Sequence, residues 1–493
     1  MIGCAVLAAL LAVATASGTD ARADVGREAR ISAGQSQVRA EVEAWAGSQA
    51  RLAQAIWEQP ELGYQEELAS SMLQEQLLQA GFEIEAGVAG MPTAFVARAG
   101  RRGSGPVIAL LAEMDALPDM SQQAGPQRLP LPGHDAGHAC GHNLFGAGAV
   151  GAARAIAHWL DSSGQEGEIR VYGTPAEEGG SGKVFMVRAG LFDDVDIALH
   201  WHPSDSNSAA QSTSLANISG KFRFHGVASH AAIAPERGRS ALDGVEALNH
   251  MANMLREHVP DGTRIHYAIT DGGRAPNVVP AQAEVYYYVR HTRGEVVQEV
   301  FERLNDAARG AALGTGTQVE FEPLGGVHGL LPNDALGQVM DRALRAVGGI
   351  EYSPAEQRFA EQMQQSLERQ RPLESAMQVG EYRADMQGLA STDVGDVSQV
   401  VPTAGLSTAS WVPGTPAHSW QAVAASGMSI GQRGALNAAA VLAMATVELF
   451  SNPELVAAAR SEFEQRRGDD PYVPLLRRGT PPLDYRAAPR NDS

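Results

Sequence analysis

Between Pro106 and His202 the chain alternates continuous apolar strands with a helix of small residues, and each strand closes on a chemically active side chain. "PVIALLAEMD" ends at Asp115, "EIRVYGTPAEE" at Glu177 and Glu178, and "DDVDIALHWHP" just after His202. The intervening "NLFGAGAVGAARAIAHWL" reads as a helix built for close packing. Apolar runs with helices between them predict an α/β sheet of buried parallel strands. Sheets of that class carry their sites beyond the carboxyl ends of the strands, and three separate segments obey that rule here.

From about Leu215 the pattern changes. "LANISGKFRFHGVASH", "RIHYAITDGG", "AEVYYYVRHT" and "TQVEFEPL" read as strands, and "SALDGVEALNHMANMLREH" and "EVVQEVFERLNDAARGAAL" as helices. The order β-α-β-β-α-β is that of a split-βαβ domain inserted into the larger one. We therefore expect catalytic segments at residues 38–213 and 327–455, an inserted dimerisation or lid domain at 214–326, and a mobile or surface-draped tail at 467–493. "SPAEQRFAEQMQQSLERQRPLE" reads as a polar helical insertion on the surface.

With 493 residues, 44% of them hydrophobic, the chain can bury two cores. Its net charge of −19 repels phosphate backbones and anionic lipid, which argues against nucleic-acid and membrane-surface binding. The apolar run from Ala5 to Ala16 is too short to span a bilayer and precedes Ala21-Arg22-Ala23, a small-residue cleavage pattern. Residues 1–23 therefore read as a signal peptide for export to the periplasm, although no Lys or Arg precedes the run; the alternative is a cytoplasmic leader. Cleavage would remove Cys4 and leave Cys140 as the only thiol, which ligation would protect.

Cys140 lies in "GHDAGHACGHNLFG", beside His138 and His142. Cys140 and His142 can converge on a metal if Gly141 turns tightly. Adjacent glutamates in extended structure point to opposite sides, so one of Glu177 and Glu178 can bind metal while the other takes a proton from water. His200 and His202 share a strand face, and spacing alone does not choose between them. Asp393 and Asp396 in "STDVGDVS" suit ligand-orienting or helix-capping roles, and His418 in "PGTPAHSW" is weak evidence alone. The rival reading makes Cys140 a nucleophile activated by His138 or His142, but leaves both glutamates and His202 without work.

"AEMDALP", "HACGHN", "TPAEEGGSGK", "DVDIALHWHP", "SHAAIAPERGRSALDGVEAL", "PNVVPAQAEVYYYVR", "STDVGDVS" and "GTPAHSWQ" occur together and in this order. In that combination the chain resembles the di-metal amidohydrolases related to aminoacylases and glutamate carboxypeptidases, on the branch of the aminobenzoyl-glutamate and auxin-conjugate hydrolases. The resemblance implies an α/β metallopeptidase-like catalytic domain. Cys140, His142, Glu178, His202 and His418 would hold two divalent ions, with zinc favoured and manganese or cobalt compatible. Glu177 would be the general base and Asp115 would orient a ligand. The thiol would stand where relatives outside this branch have a bridging aspartate, and Glu113 where many of them have a histidine ligand.

The expected reaction is hydrolysis of an amide joining an acyl or aminobenzoyl group to an amino acid. Arg290 and Asn277 of the small domain would meet the carboxylate of that small-molecule substrate, since an arginine fork matches a carboxylate bidentately. The alternatives are a dipeptidase of the same fold and an inactive homologue with a binding or assembly role. A split-βαβ domain can leave a sheet edge that a two-fold partner covers, so a homodimer is expected, with a paralogous partner chain as the other arrangement. His230, in "GVASHAAIAP", either caps the helix near Ser240 or satisfies a core polar group, or, as the resemblance implies, reaches the partner's site and stabilises the oxyanion.

Overall fold

A computed structural model describes residues 31–486. The expected leader and cleavage pattern, and the last residues of the chain, lie outside the described residues. The large domain is built on β1 (Glu83–Ala86), β2 (Phe95–Gly100), β3 (Val107–Glu113), β4 (Glu168–Thr174) and β5 (Ile197–Ser204). Two short strands, β6 (Ser212–Thr213) and β11 (Met386–Gln387), pair with each other. The small domain contributes β7 (Ala216–His225), β8 (Arg264–Asp271), β9 (Gln282–His291) and β10 (Gln318–Val327), and β12 (Thr403–Ala409) returns to the large domain.

The large sheet has the order β1-β2-β4-β3-β5-β12. β4, β3, β5 and β12 are parallel, as the apolar runs predict, while β1 and β2 form an antiparallel edge. β12 comes from beyond the inserted domain, so the sheet closes only when both catalytic segments are present. Its sequence, "TAGLSTA", is too small-sided to announce a buried strand; the neighbouring helix Ser429–Ser451 buries it. The helices Ala33–Glu58, His142–Ser163 and Ser429–Ser451 pack on one another across the sheet. Glycine permits this at Gly151, where a Cβ would strike the Gln49 side chain of the first helix and lie 3.4 Å from Ala439 of the last. Ser429–Ser451 is apolar enough to cross a membrane by length and composition, but most of it is buried in this core.

The small sheet runs β10-β7-β9-β8, antiparallel throughout, with helices Ala241–Leu255 and Gly294–Thr315 on its core face. Phe222, Phe224, Val285, Tyr287, Val289 and Leu304 form its separate core. β8 is the outer edge and all of it except Ile265 is exposed. The insertion is thus a split-βαβ domain whose edge strands are β8 and β10, with β8 the more exposed.

Two expectations need correction. The Gln-rich segment is not merely a surface excursion. Phe359, Ala360 and Met363 of its helix Pro354–Gln364 pack with Trp411, Val412 and Ala425, buttressing the loop that leads to His418. Nor is the C-terminus mobile over its described length. After the helix Pro453–Arg467, Leu475 enters the small-domain core and Leu476 the large-domain core, so the tail straps the two together. Its polar composition hid these two leucines.

Candidate metal centre

Three backbone devices bring the donors together. Gly141 takes the left-handed conformation (φ 74°) just before the helix His142–Ser163, turning Cys140 and His142 toward one point. A side chain there would strike Pro203 at 2.9 Å, so the turn requires glycine. Glu177 and Glu178 are not extended, as the sequence suggested, but sit in a turn entered through Ala176 at φ 56°. A non-glycine residue there costs about 1–3 kcal/mol. The buried Glu66 holds it, accepting from the Ala176 amide at 2.8 Å and from Thr93 Oγ1 at 2.9 Å. Third, His418 is itself left-handed (φ 56°), and its amide donates to the Ala139 carbonyl at 3.0 Å.

The donors then form two triads sharing Cys140. In one, the ligating atoms of Cys140, His142 and His202 lie within 4.8 Å of one another, and in the other those of Cys140, Glu178 and His418 do. Cys140 Sγ is 3.5 Å from His202 Nε2 and 3.4 Å from His418 Nε2. His418 Nε2 is 3.3 Å from Glu178 Oε1. Carbonyl oxygens can only accept, which fixes the imidazole tautomers. His142 Nδ1 donates to the Asp115 carbonyl at 3.0 Å and to Asp115 Oδ1 at 2.9 Å, and His202 Nδ1 donates to the Pro203 carbonyl at 2.7 Å. His202 Nε2 is thereby left as a lone pair facing the thiol, while His142 Nε2 lies 3.1 Å from Glu113 Oε2. Buried His142 Nε2 and Glu178 Oε1 make no well-directed hydrogen bond, having only the side contacts to Glu113 Oε2 at 3.1 Å and His418 Nε2 at 3.3 Å, as donors turned toward an ion would. The donor set fits a pair of divalent ions, with a thiolate in the shared position.

Asp115 orients this set: besides His142 it accepts from the Glu178 amide at 2.9 Å. His200, left open by spacing, abuts Gly405 of β12, and burial lowers its pKa to about 3. His138, the rival activator, is buried with Nε2 3.3 Å from the Ile56 carbonyl, and burial lowers its pKa to about 3. Burial, then the charge of Glu178, pushes the Cys140 thiol well up. In the protein alone the thiol therefore lacks the lowered pKa that an activated nucleophile needs.

Glu177 lies outside both triads that share Cys140. It groups instead with His142 and Glu113, and burial followed by the charges of Glu113 and Glu178 pushes its carboxyl well above the usual range.

Glu113 accepts from Lys183. Lys183 Nζ lies 2.8 Å from Glu113 Oε1 and 2.6 Å from Asp393 Oδ1, with all three side chains buried. Asp393 is thus a buried ion-pair partner, while Asp396 accepts from the His328 amide and the Tyr472 hydroxyl.

The small-domain candidates divide into two groups. Arg290 ends β9 beside the large domain, donating to Ser391 Oγ at 3.0 Å. Asn277 precedes β9 at its other end, where its carbonyl accepts from the Ala231 amide and the next residue, Val278, bridges to His230. The eight steps from Gln282 to Arg290 alone span roughly 26 Å of extended strand at about 3.3 Å each. One chain therefore cannot bring Arg290 and Asn277 to the same carboxylate, contrary to the expectation. His230 is exposed, and its Nδ1 accepts from the Ala232 and Ile233 amides at 3.2 and 3.3 Å; it caps no helix near Ser240, whose own hydroxyl does so.

Residues 216–315 match the peptidase dimerisation domain of the M20 family. The chain is 42% identical to the B component of the p-aminobenzoyl-glutamate hydrolase of Escherichia coli, over 87% of this chain and 95% of that one. It is 31% identical to the human Xaa-Arg dipeptidase, over 86% and 90%. The chain belongs to the M20 family. Among solved folds, a dinuclear metal-binding M20 peptidase from Bacillus subtilis superposes with a TM-score of 0.55 at 19% identity, covering 83% of this chain and 99% of that one.

This M20 protein is an amidohydrolase of the carboxypeptidase-like type. Three of its site residues escaped the sequence reading. Glu66 carried no signal, because its role depends on the strained Ala176. Lys183, in "GGSGK", was visible, but only the fold puts its ammonium between carboxylates 70 and 210 positions away. Arg486 lies on the strap and donates to the Glu178 carbonyl.

Proposed function

We propose that the chain hydrolyses the amide between an acyl or aminobenzoyl group and an amino acid, using two divalent ions held by Cys140, His142, His202, Glu178 and His418. The observation that carries this reading is the pair of triads sharing one thiol, with an uncommitted carboxylate beside them. Two ions there would supply Lewis acidity, acidifying a water and polarising the scissile carbonyl. The thiolate and imidazole donors favour zinc, with manganese or cobalt compatible because a carboxylate contributes.

Glu177 takes the proton from the attacking water and passes it to the leaving amine nitrogen. Asp115 holds His142 in the tautomer that presents Nε2. Arg290 meets the substrate carboxylate at the domain junction. His230 and Asn277, on the far end of the small domain, serve a second copy: the partner's His230 meets the carbonyl oxygen as it gains charge, and the partner's Asn277 lies next to it. The open β8 edge is the surface on which two copies would join. The leader supports export to the periplasm.

The test is metal analysis of the purified protein together with hydrolysis of aminobenzoyl-glutamate, N-acyl amino acids and dipeptides. Two ions per chain, and activity lost on chelation and restored by zinc or manganese, are expected. Stoichiometric metal with no hydrolysis of any conjugate would instead favour a binding or assembly role.

A further inference from the structure

The described part of the strap reaches the candidate metal centre. Tyr485 packs edge-on against Tyr64, with ring centroids 5.7 Å apart, and its hydroxyl lies 3.4 Å from the Glu178 carbonyl. Arg486 Nη2 donates to that same carbonyl. A side chain added at Gly179 would begin 3.8 Å from the Tyr288 hydroxyl and 3.9 Å from Arg486 Nη2, so these two groups share the space over this turn. Arg290 stacks on the ring of the same Tyr288, its Cζ 5.1 Å from the centroid. Arg290 thus sits on Tyr288, and Arg486, its Cζ 5.3 Å from the Tyr485 ring centroid, sits over the neighbouring turn that carries Glu178.

Arg486 lacks what a guanidinium so placed normally has. Among the described residues no Asp or Glu side chain pairs with it, and its buried Nη1 has no hydrogen-bond partner there. The other strap arginines are matched: Arg477 with Glu302 at 2.5 Å and Arg478 with Glu322 at 3.1 Å. A buried unpaired donor on a cation is costly unless a ligand satisfies it. Arg290 already supplies one carboxylate site, so the second fork calls for a second anion.

We propose that Arg486 is a specificity-determining residue that receives a second carboxylate of the substrate, so that the enzyme prefers conjugates of dicarboxylic amino acids over those of neutral or basic ones. The strap positions it: Leu475 and Leu476 anchor the segment in both cores, and the Arg478 carbonyl accepts from Arg188. This inference rests on the amidohydrolase reading above.

The experiment compares kcat/KM for 4-aminobenzoyl-glutamate and 4-aminobenzoyl-alanine in the metal-supplied full chain, wild type against Arg486→Ala. Wild type should favour the glutamate conjugate. In the variant the ratio should fall about ten- to hundredfold through KM, the scale of one charged hydrogen-bonded contact. Arg486→Lys should recover part of the ratio, and metal content should stay at the wild-type level. Free glutamate, titrated by thermal shift, should also need at least tenfold higher concentration in the variant. If Arg486→Ala does not fold, Arg486→Gln replaces it. Equal losses on both substrates accompanied by metal loss would overturn the inference, because Arg486 would then only prop the Glu178 turn. A wild-type enzyme cleaving both conjugates without preference would also overturn it while leaving the amidohydrolase reading intact. Cleavage of neither would overturn that reading itself.

Discussion

Replacing Lys183 with methionine isolates the buried charge network behind the metal centre. The ammonium sits 2.8 Å from Glu113 and 2.6 Å from Asp393, with no solvent access to any of the three. Methionine fills a similar volume but removes the one cation the two carboxyls share, leaving Glu113 only His142 Nε2 at 3.1 Å and Asp393 only the residue-183 amide at 2.9 Å, so the pair must either carry poorly compensated buried charge or take up protons. Removing one partner of a buried pair costs about 3–5 kcal/mol. With an unfolding entropy of about 2.1 cal/mol/K per residue over a domain of roughly 330 residues, that lowers Tm by about 4–7 °C. Burial already raises both carboxyls above their ordinary values even with Lys183 present, and its loss raises them further. The folded variant then holds protons that the unfolded chain releases above about pH 4, so its stability falls as pH rises from there toward the folded values. The destabilisation relative to wild type should be small at pH 4.5 and full at pH 8. Thermal unfolding of both proteins at the two pH values, metal-loaded and chelated, is the assay. Equal shifts at both pH values would refute the electrostatic account and leave only a packing defect. So would a Lys183→Met, Asp393→Asn double variant no more stable at pH 8 than the single one.

Glu177→Gln should keep its metal while losing roughly two to four orders of magnitude in turnover, whereas Glu178→Gln should lose metal; identical behaviour would undo the division of the pair. Cys140→Ser should weaken retention of both ions, because the thiol is common to both triads, and full metal content with no activity would revive the nucleophile reading. His230→Ala should keep metal and dimer but lose about two to three orders of magnitude in kcat. Mixing it with Glu177→Gln should restore activity through the one intact site of a mixed dimer, and exchange of protomers without rescue would rule out the role across the dimer.

The sequence by itself determined the sheet class, the inserted domain and most of the donors. Short apolar runs bounded by turn residues and alternating with helices read as buried strands, and donors at their carboxyl ends are then placed by topology. "HACGHN" marked Cys140 and His142 because two donors flank a glycine that must turn. Tertiary structure decided what depends on contacts between distant segments. His202 rather than His200 faces the thiol, because β12 occupies the space beside His200. Glu66 matters only through a strained turn 110 positions away. Asn277 and Arg290 looked like partners in sequence, but the length of β9 sets them at opposite ends of the domain. The C-terminal segment read as loose because its composition is polar. Two leucines seated in two different cores are enough to fix it, and sequence patterning does not register single anchors whose pockets are assembled by other parts of the chain.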